Sequence, residues 1–371
     1  MKVVVLHPPL YPVNHKFFNE LGKKVNLVVY SFGNQPGLHS HWKVKNFVNT
    51  DNKYDLRVIE GNTNLNRLAV SYRTQLNPSF LRKVYQDKPD VVISVAFWFP
   101  SLYMAFLKRI FGCKLVVLTD AIAQTETNNS KLRNIIRNII VKNTDAFIAS
   151  SDLTESYLEE KFPKALIKKS VQTIDVKSWQ KAIERLPEKE EIRNELGLPN
   201  DKKIMLSIGN FIALKNLGSL IKQTKEIENG LLVLIGEGEL KNDFVNQIKK
   251  NHLQDKVKLI GRKEGDELKK YFKAADVFLF PTNRDTFGYV VVEALASGLP
   301  VICSKNAGAS TLISDGINGY VVDPKGNFVE KTKRVIQEAT SLTTLVTKSI
   351  AKYTLQHKAK EFSQILISLN K

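Results

Sequence analysis

Apolar residues in this chain follow two rhythms. Short β-branched runs stand at Lys2–Leu6, Val25–Val29, Val91–Val95, Leu115–Leu118 and Ala146–Ala149. Continuous runs of that kind mark strands buried on both faces of a parallel sheet. Between them the apolar positions recur at helical spacing, at His15–Gly22 and at Asn129–Lys142, where Leu132, Ile135, Ile136, Ile139 and Ile140 form one stripe. Strand and helix alternating in this way predict an open parallel sheet covered on both faces. The uncharged stretch Val91–Leu107 ends at Lys108-Arg109 and is interrupted by Pro100. A membrane-spanning helix needs about 20 apolar residues. The stretch therefore reads as a strand, a loop and a helix from about Ser101.

The stretch Val171–Glu191 is charged, contains Pro187 and breaks the alternation, so the domain connection is expected there. A second series follows, with strands at Ile204–Ile208, Leu231–Ile235, Val257–Ile260, Val277–Phe280 and Val301–Ser304. Helices are expected to start near Leu217, Glu239, Gly265 and Gly288, and Phe328–Leu369 reads as helical. The predicted fold class is α/β, with two Rossmann-like domains whose parallel sheets face across a cleft at the strands' carboxyl ends. The expected divisions are 1–174, 175–350 and a final helix, 351–371, returning to the N-terminal domain.

Composition narrows the function classes. The chain's 371 residues exceed one ordinary core and suit two. At 43% hydrophobic and 25% charged it is globular rather than disordered. The formal charge of +18 divides into +11 for residues 1–174 and +7 for the rest. Such a balance favours anionic partners: phosphates, acidic lipid surfaces or nucleic acid. Cys113 and Cys303 lie in no CxxC pair, so reduced, buried thiols are expected. The start, MKVVVLHPPLYP, lacks the apolar core and cleavage site of a signal peptide, which points to the cytoplasm.

The chemistry concentrates in Val277–Ser304. A strand ends at Phe280, a loop with Pro281 and Asp285 follows, and a helix opens near Phe287-Gly288 and closes at Gly298. A glycine at a helix start admits a ligand close to the backbone, and the free N–H groups there attract an anion such as a diphosphate. Asp285 precedes this helix and Glu293 lies within it. Two such carboxylates can accept hydrogen bonds from the vicinal diols of a ribose and a sugar. They can equally be a loop cap and a solvated helix face. No Asp-x-Asp follows a strand, and His39-x-His41 has no third ligand nearby, so no metal and no cofactor is expected.

The run Asp285-Thr286-Phe287-Gly288-Tyr289-Val290-Val291-Val292-Glu293 resembles the donor-site signature of family 4 retaining glycosyltransferases: an acid, seven residues and a glutamate enclosing Phe-Gly. Asp285 stands where that family usually has Glu. The resemblance extends through Arg193–Pro199, Val233–Gly238, Val257–Gly261, Asn306–Ala309, Ile317–Gly319 and Val322–Pro324, over about residues 190–325. It implies a GT-B fold and metal-independent sugar transfer, with retention, from a nucleoside diphosphate sugar, UDP- or GDP-linked. The family places an Arg, then a Lys five positions later, on the donor diphosphate. Here Lys215 matches and Asn210 holds the arginine's position. The implied catalytic residues are Lys215, Asp285, Glu293 and, on the acceptor side, Asp120. The implied substrate-binding residues are Gly209, Asn210, Lys215, Arg262, Asp285, Thr286, Phe287, Gly288, Glu293 and His7. His7, at a strand end, is alternatively a cap of the sheet.

Two further features point to a membrane-surface acceptor, a glycan or a lipid-linked sugar at the inner face. Phe97-Trp98-Phe99 puts three aromatics at a strand end where a loop would be exposed. The helix Asn129–Lys142 carries Lys131, Arg133, Arg137 and Lys142 around its apolar stripe, and basic amphipathic helices lie on anionic lipid. A core helix with a solvated basic face is the alternative. Competing functions are a non-catalytic or partner-dependent subunit of the same fold, favoured by Asn210 and Asp285, a nucleotide-sugar epimerase, and a transferase acting on nucleic acid. Aromatics do not interleave with basic residues as a nucleic-acid groove requires, so a nucleic-acid partner is not expected.

Overall fold

The computed structural model describes residues 1–33, 51–59, 78–127 and 130–369, the side chains of 339–343 excepted. His39, His41 and Asn129 lie outside the described residues. Two compact units form, one of Met1–Val171 with Leu355–Lys371 and one of Gln172–Thr354.

In the N-terminal unit the strands are β1 (Lys2–His7), β2 (Asn26–Phe32), β3 (Asp55–Ile59), β4 (Val91–Val95), β5 (Lys114–Thr119), β6 (Ala146–Ala149) and β7 (Ile167–Lys169). They pair in parallel in the order β3-β2-β1-β4-β5-β6-β7. Helices α1 (Pro12–Gly22), α2 (Phe80–Asp87), α3 (Phe99–Phe111), α4 (Lys131–Asn143) and α5 (Asp152–Lys161) cover the sheet. Alternate residues of the central strands pack to opposite faces. Val3, Val5 and Val29 meet α1, whereas Val4, Leu6, Val28 and Val92 meet α2 and α3. The same face continues through Val117 and Phe147 to α4 and α5.

The edge strand β3 is held by charge as well as pairing. The buried Asp87 carboxylate accepts hydrogen bonds from the Tyr30 hydroxyl (2.6 Å) and from Arg57 of β3 (2.8 Å). Helix α3 begins at Phe99, two residues earlier than expected, because Pro100 sits in its first turn, where a missing N–H costs nothing. The three aromatics there are not an exposed cluster. Trp98 is buried, packs edge-on against Phe32 and donates its indole N–H to Ser94. Phe97 packs against Phe147 and Phe162.

The C-terminal unit has strands β8 (Lys203–Ile208), β9 (Gly230–Ile235), β10 (Val257–Ile260), β11 (Val277–Phe280), β12 (Val301–Ser304) and β13 (Gly319–Val322), in the parallel order β10-β9-β8-β11-β12-β13. The stretch Val171–Glu191, where the domain connection was expected, contains α6 (Val176–Glu184) and the start of α7 (Lys189–Glu195). They pack on α10 (Gly265–Ala274) and α11 (Tyr289–Ala296), between which the chain forms β11. Asp276 locks this arrangement. Its carboxylate accepts from the Ile204 N–H (2.6 Å), Lys189 (2.6 Å) and Arg193 (2.7 Å). Burial works to raise its pKa, but Lys189, the Ile204 N–H and Arg193 together hold it below the usual carboxylate range. Helices α8 (Leu217–Gln223), α9 (Lys241–Lys250) and α12 (Phe328–Ile350) complete the unit.

A break at Ala351–Thr354 separates α12 from the last helix, α13 (Leu355–Leu369), which belongs to the N-terminal unit. Leu355, Ala359, Phe362 and Leu366 recur at helical spacing and join the core cluster of α1, with Phe362 edge-on to Phe17 at 5.4 Å. Both cysteines are free and buried. No described helix is long and apolar enough to cross a membrane.

Candidate donor site of the C-terminal unit

Strands β8 and β11 are neighbours at the point where the strand order reverses, β9 and β10 lying to one side and β12 and β13 to the other. Open α/β sheets leave a ligand crevice at the carboxyl ends of such a pair. Beyond β8 the chain passes through Gly209 and Asn210 into a short 3-10 turn, Ala213–Lys215. Gly236, at the end of β9, has φ +153°, and a Cβ there would come within 2.0 Å of the Gly209 carbonyl oxygen. Only glycine lets these two loops lie together.

Side-chain amides and a hydroxyl tie the β8 loop to its neighbours. Asn216, at φ +54°, donates from its amide to the carbonyls of Pro281 (3.2 Å) and Pro324 (2.9 Å). The buried Thr282 hydroxyl bonds the carbonyls of Leu214 (3.1 Å) and Arg284 (2.8 Å). The Asn283 N–H donates to the Leu214 carbonyl at 2.9 Å.

These ties bring together Lys215 and Asp285, 70 positions apart, with Lys215 Nζ 2.5 Å from Asp285 Oδ2. The other carboxylate oxygen accepts from the Phe287 N–H at 3.2 Å. The Asp285 backbone is bonded on both sides to the β12 loop, donating to Asn306 (3.0 Å) and accepting from Gly308 (3.1 Å). Each of the two charged side chains remains about one-fifth exposed. A fixed carboxylate and a cation that still reaches solvent thus stand side by side.

Helix α11 opens two residues beyond Phe287, at Tyr289. Gly288 is its N-cap at φ +97°, and no side chain caps the helix. A Cβ at Gly288 would lie 2.8 Å from Phe280 Cε1. The Val291 N–H bonds the Gly288 carbonyl at 3.0 Å, and the helix dipole adds positive potential at this end. The arrangement of such a helix mouth and Lys215 suits a diphosphate.

Glu293 lies within α11 and is partly buried. Burial pushes its pKa up to about 7, and Lys269 acts in the opposite direction. Lys269 stands over the Trp179 ring at 5.4 Å. The Trp179 indole N–H bonds Ser297, whose hydroxyl bonds the Glu293 carbonyl, both at 2.8 Å. Among the described residues no hydrogen bond or ion pair joins Glu293 to Lys215 or Asp285.

The remaining candidates are placed as follows. Asn210 is exposed, Thr286 half-buried, and Arg262 exposed with its Nε 2.8 Å from Glu264. Asp120 and His7 belong to the N-terminal unit, at the carboxyl ends of β5 and β1. Asp120 is half-buried. His7 is buried, with Nδ1 2.6 Å from the Pro8 carbonyl. Burial lowers its pKa to about 4 against the pull of that carbonyl, so the ring is neutral at pH 7 and fastens the first loop. Asn216, Thr282 and Asn283 organise the site without having been singled out in the sequence. Asn216 alone carried a signal, as an asparagine before a helix where left-handed backbone is tolerated. Among the described residues no group of three or more His, Cys, Asp or Glu is placed to hold a metal ion.

Residues 188–351 match the profile of the family described as glycosyl transferases group 1. The C-terminal unit carries a glycosyl transferases group 1 domain. An uncharacterised glycosyltransferase of Methanocaldococcus jannaschii is 33% identical to the chain over 141 residues, 37% of this chain and 36% of that protein. The alpha-monoglucosyldiacylglycerol synthase of Streptococcus pneumoniae is 28% identical over 195 residues, 51% of this chain and 44% of that protein. The chain thus spans less than half the length of these curated relatives. The crystal structure of Anabaena HepE in complex with UDP superposes with a TM-score of 0.76 at 17% identity, covering 99% of this chain and 100% of that one. The two parallel-sheet units have the fold of GT-B glycosyltransferases, and the group 1 domain holds the Lys215–Asp285 pair and the mouth of α11.

Proposed function

We propose that the chain transfers a sugar from a UDP- or GDP-linked donor to a hydroxyl of a glycan or lipid-linked acceptor, with retention of configuration and without a metal ion. The Lys215–Asp285 pair beside the open N-terminus of α11 carries this reading. The helix N–H groups and the Lys215 ammonium receive the donor's diphosphate. Asp285, held by the Phe287 N–H, accepts hydroxyls of the transferred sugar, and Glu293 accepts those of the ribose.

As the bond from the sugar to the phosphate breaks, negative charge grows on the leaving oxygen, and Lys215 stabilises it without reorganising. The leaving phosphate takes the acceptor's proton, so no strong protein base is needed. Asp120 orients the acceptor hydroxyl. Positive charge that a divalent cation would supply comes from Lys215 and the helix. The UDP bound in the Anabaena structure supports the donor class, and the name of the streptococcal relative supports a lipid-linked acceptor. Such an acceptor places the protein in the cytoplasm, at the inner face of a membrane.

The test is a thermal-shift and hydrolysis panel of UDP-, GDP- and ADP-sugars, with and without EDTA. One nucleotide class should raise the midpoint, EDTA should leave the shift intact, and the Lys215→Ala variant should lose it. No shift with any donor at millimolar concentration overturns the proposal. Asn210, in the family's arginine position, favours a second reading, a donor-binding subunit without turnover. A donor shift with neither hydrolysis nor transfer would identify it.

A further inference from the structure

Helices α2, α3 and α4 cover one face of the N-terminal sheet, and their outer side is unusually apolar. Phe106 and Ile110 of α3 are 61% and 70% exposed, and Leu132 and Ile135 of α4 are 66% and 56% exposed. Each pair lies about one turn apart on its helix. Helices α3 and α4 pack side by side on the same sheet face, so their exposed sides point the same way, away from the sheet. Tyr85 of α2 is exposed on this layer too, its ring 5.3 Å from that of Phe111.

The charge carried by helices α3 and α4 themselves has one sign. Helices α3 and α4 contain no Asp or Glu, and they carry Lys108, Arg109, Lys131, Arg133, Arg137 and Lys142. Arg137, expected on the basic face, turns inward instead: it is buried, 2.5 Å from Glu126 and over the Phe97 ring. Arg109, Lys131, Arg133 and Lys142 are exposed around the apolar residues. Where the two helices end, a recess of about 410 Å³ is lined by Lys108, Arg109, Lys114 and Lys142, against the acids Asp90 and Asp145.

An apolar stripe among cations is the pattern of a surface that seats in the headgroup region of a bilayer. Acyl chains receive the apolar side chains, and lipid phosphates meet the cations. A second copy of this face would bring like charges together, which disfavours self-association. We propose that the α3–α4 face docks on a bilayer rich in anionic phospholipid. The proposal rests on the lipid-linked reading of the acceptor for its purpose, but its geometry is independent of the donor site.

The experiment is co-sedimentation of the full chain with phosphatidylcholine vesicles and with vesicles containing phosphatidylglycerol. Binding is expected only to the anionic vesicles and should weaken with salt. Each exposed cation removed should weaken partitioning about fivefold, so the Lys131→Ala/Lys142→Ala variant should lose roughly 25-fold. Phe106→Ser/Leu132→Ser should abolish binding that survives high salt. Lys249→Ala/Lys250→Ala, on exposed positions of α9, changes the net charge equally and should leave binding intact.

Three outcomes overturn the proposal: no binding to anionic vesicles, equal loss in the α9 control, or a dimer that Phe106→Ser/Leu132→Ser dissolves. A donor thermal shift on every variant checks folding and separates the two proposals. Vesicle binding without a donor shift removes the transferase and keeps the docking face, and the reverse result does the opposite.

Discussion

Glu293 is a carboxyl that the unliganded fold tolerates at a cost, and Glu293→Gln exposes that cost. Burial raises its pKa from 4.5 to about 7. Between those values the folded state holds a proton that the unfolded state has released, so stability falls as pH rises through the window and is level above it. At about 1.4 kcal/mol per pH unit the full displacement corresponds to about 3 kcal/mol. The residue as a whole is partly exposed, so about 1–3 kcal/mol is expected.

The amide is neutral throughout. The variant should therefore match wild type near pH 4.5 and exceed its stability by about 1–3 kcal/mol at pH 8. Urea unfolding of the C-terminal unit's transition at several pH values measures this directly. The same variant should show a smaller donor-induced stabilisation than wild type, because an amide is a weaker acceptor for a diol than a carboxylate. Gain of stability with loss of donor response is the signature of a binding carboxylate. An unchanged pH profile in Glu293→Gln would refute the assignment of the strain to Glu293, and an unchanged donor shift would refute its role at the ribose.

Three other substitutions probe the same architecture. Lys215→Ala should lower kcat by about 10²–10³, the range for removing one donor from a developing negative charge, as a steady-state assay would show. Gly288→Ala puts a side chain into left-handed backbone and against Phe280; strain and overpacking together should cost about 2–4 kcal/mol in urea unfolding or displace the mouth of α11 and remove the donor shift. Deleting 355–371 strips Leu355, Phe362 and Leu366 from the core at about 1.5–3 kcal/mol each. The N-terminal unit's unfolding transition should disappear while the group 1 domain still responds to donor.

Much of the sheet framework was legible because its strands are short, apolar and buried on both faces. Strands β3 and β7 escaped for the opposite reason. Asp55–Ile59 carries a surface acid and an arginine that works through Asp87, and Ile167–Lys169 is three residues with two lysines. Helices α6 and α7 were hidden in a charged stretch because few apolar residues face inward, and one of the buried side chains is Arg193. The site showed itself partly. Glycine, acid and helix start are local features, whereas contact between Lys215 and Asp285 depends on Asn216, Thr282 and Asn283 binding carbonyls in the loops beyond the strand ends. No spacing rule records such bonds. The aromatic run Phe97–Phe99 misled because its composition suits an exposed loop equally well, and only the neighbours Phe32 and Phe147 decide where it goes.

The return of α13 has a consequence for how the protein is made. Synthesis delivers the first 171 residues early, yet four residues of their core come from the last helix. Until the ribosome has released that helix, Phe17 and its neighbours on α1 face a groove with nothing in it. The group 1 domain, by contrast, has its whole sequence out before α13 appears. The N-terminal unit therefore completes its core after the group 1 domain, and until then it presents to chaperones an apolar seam that α13 later covers.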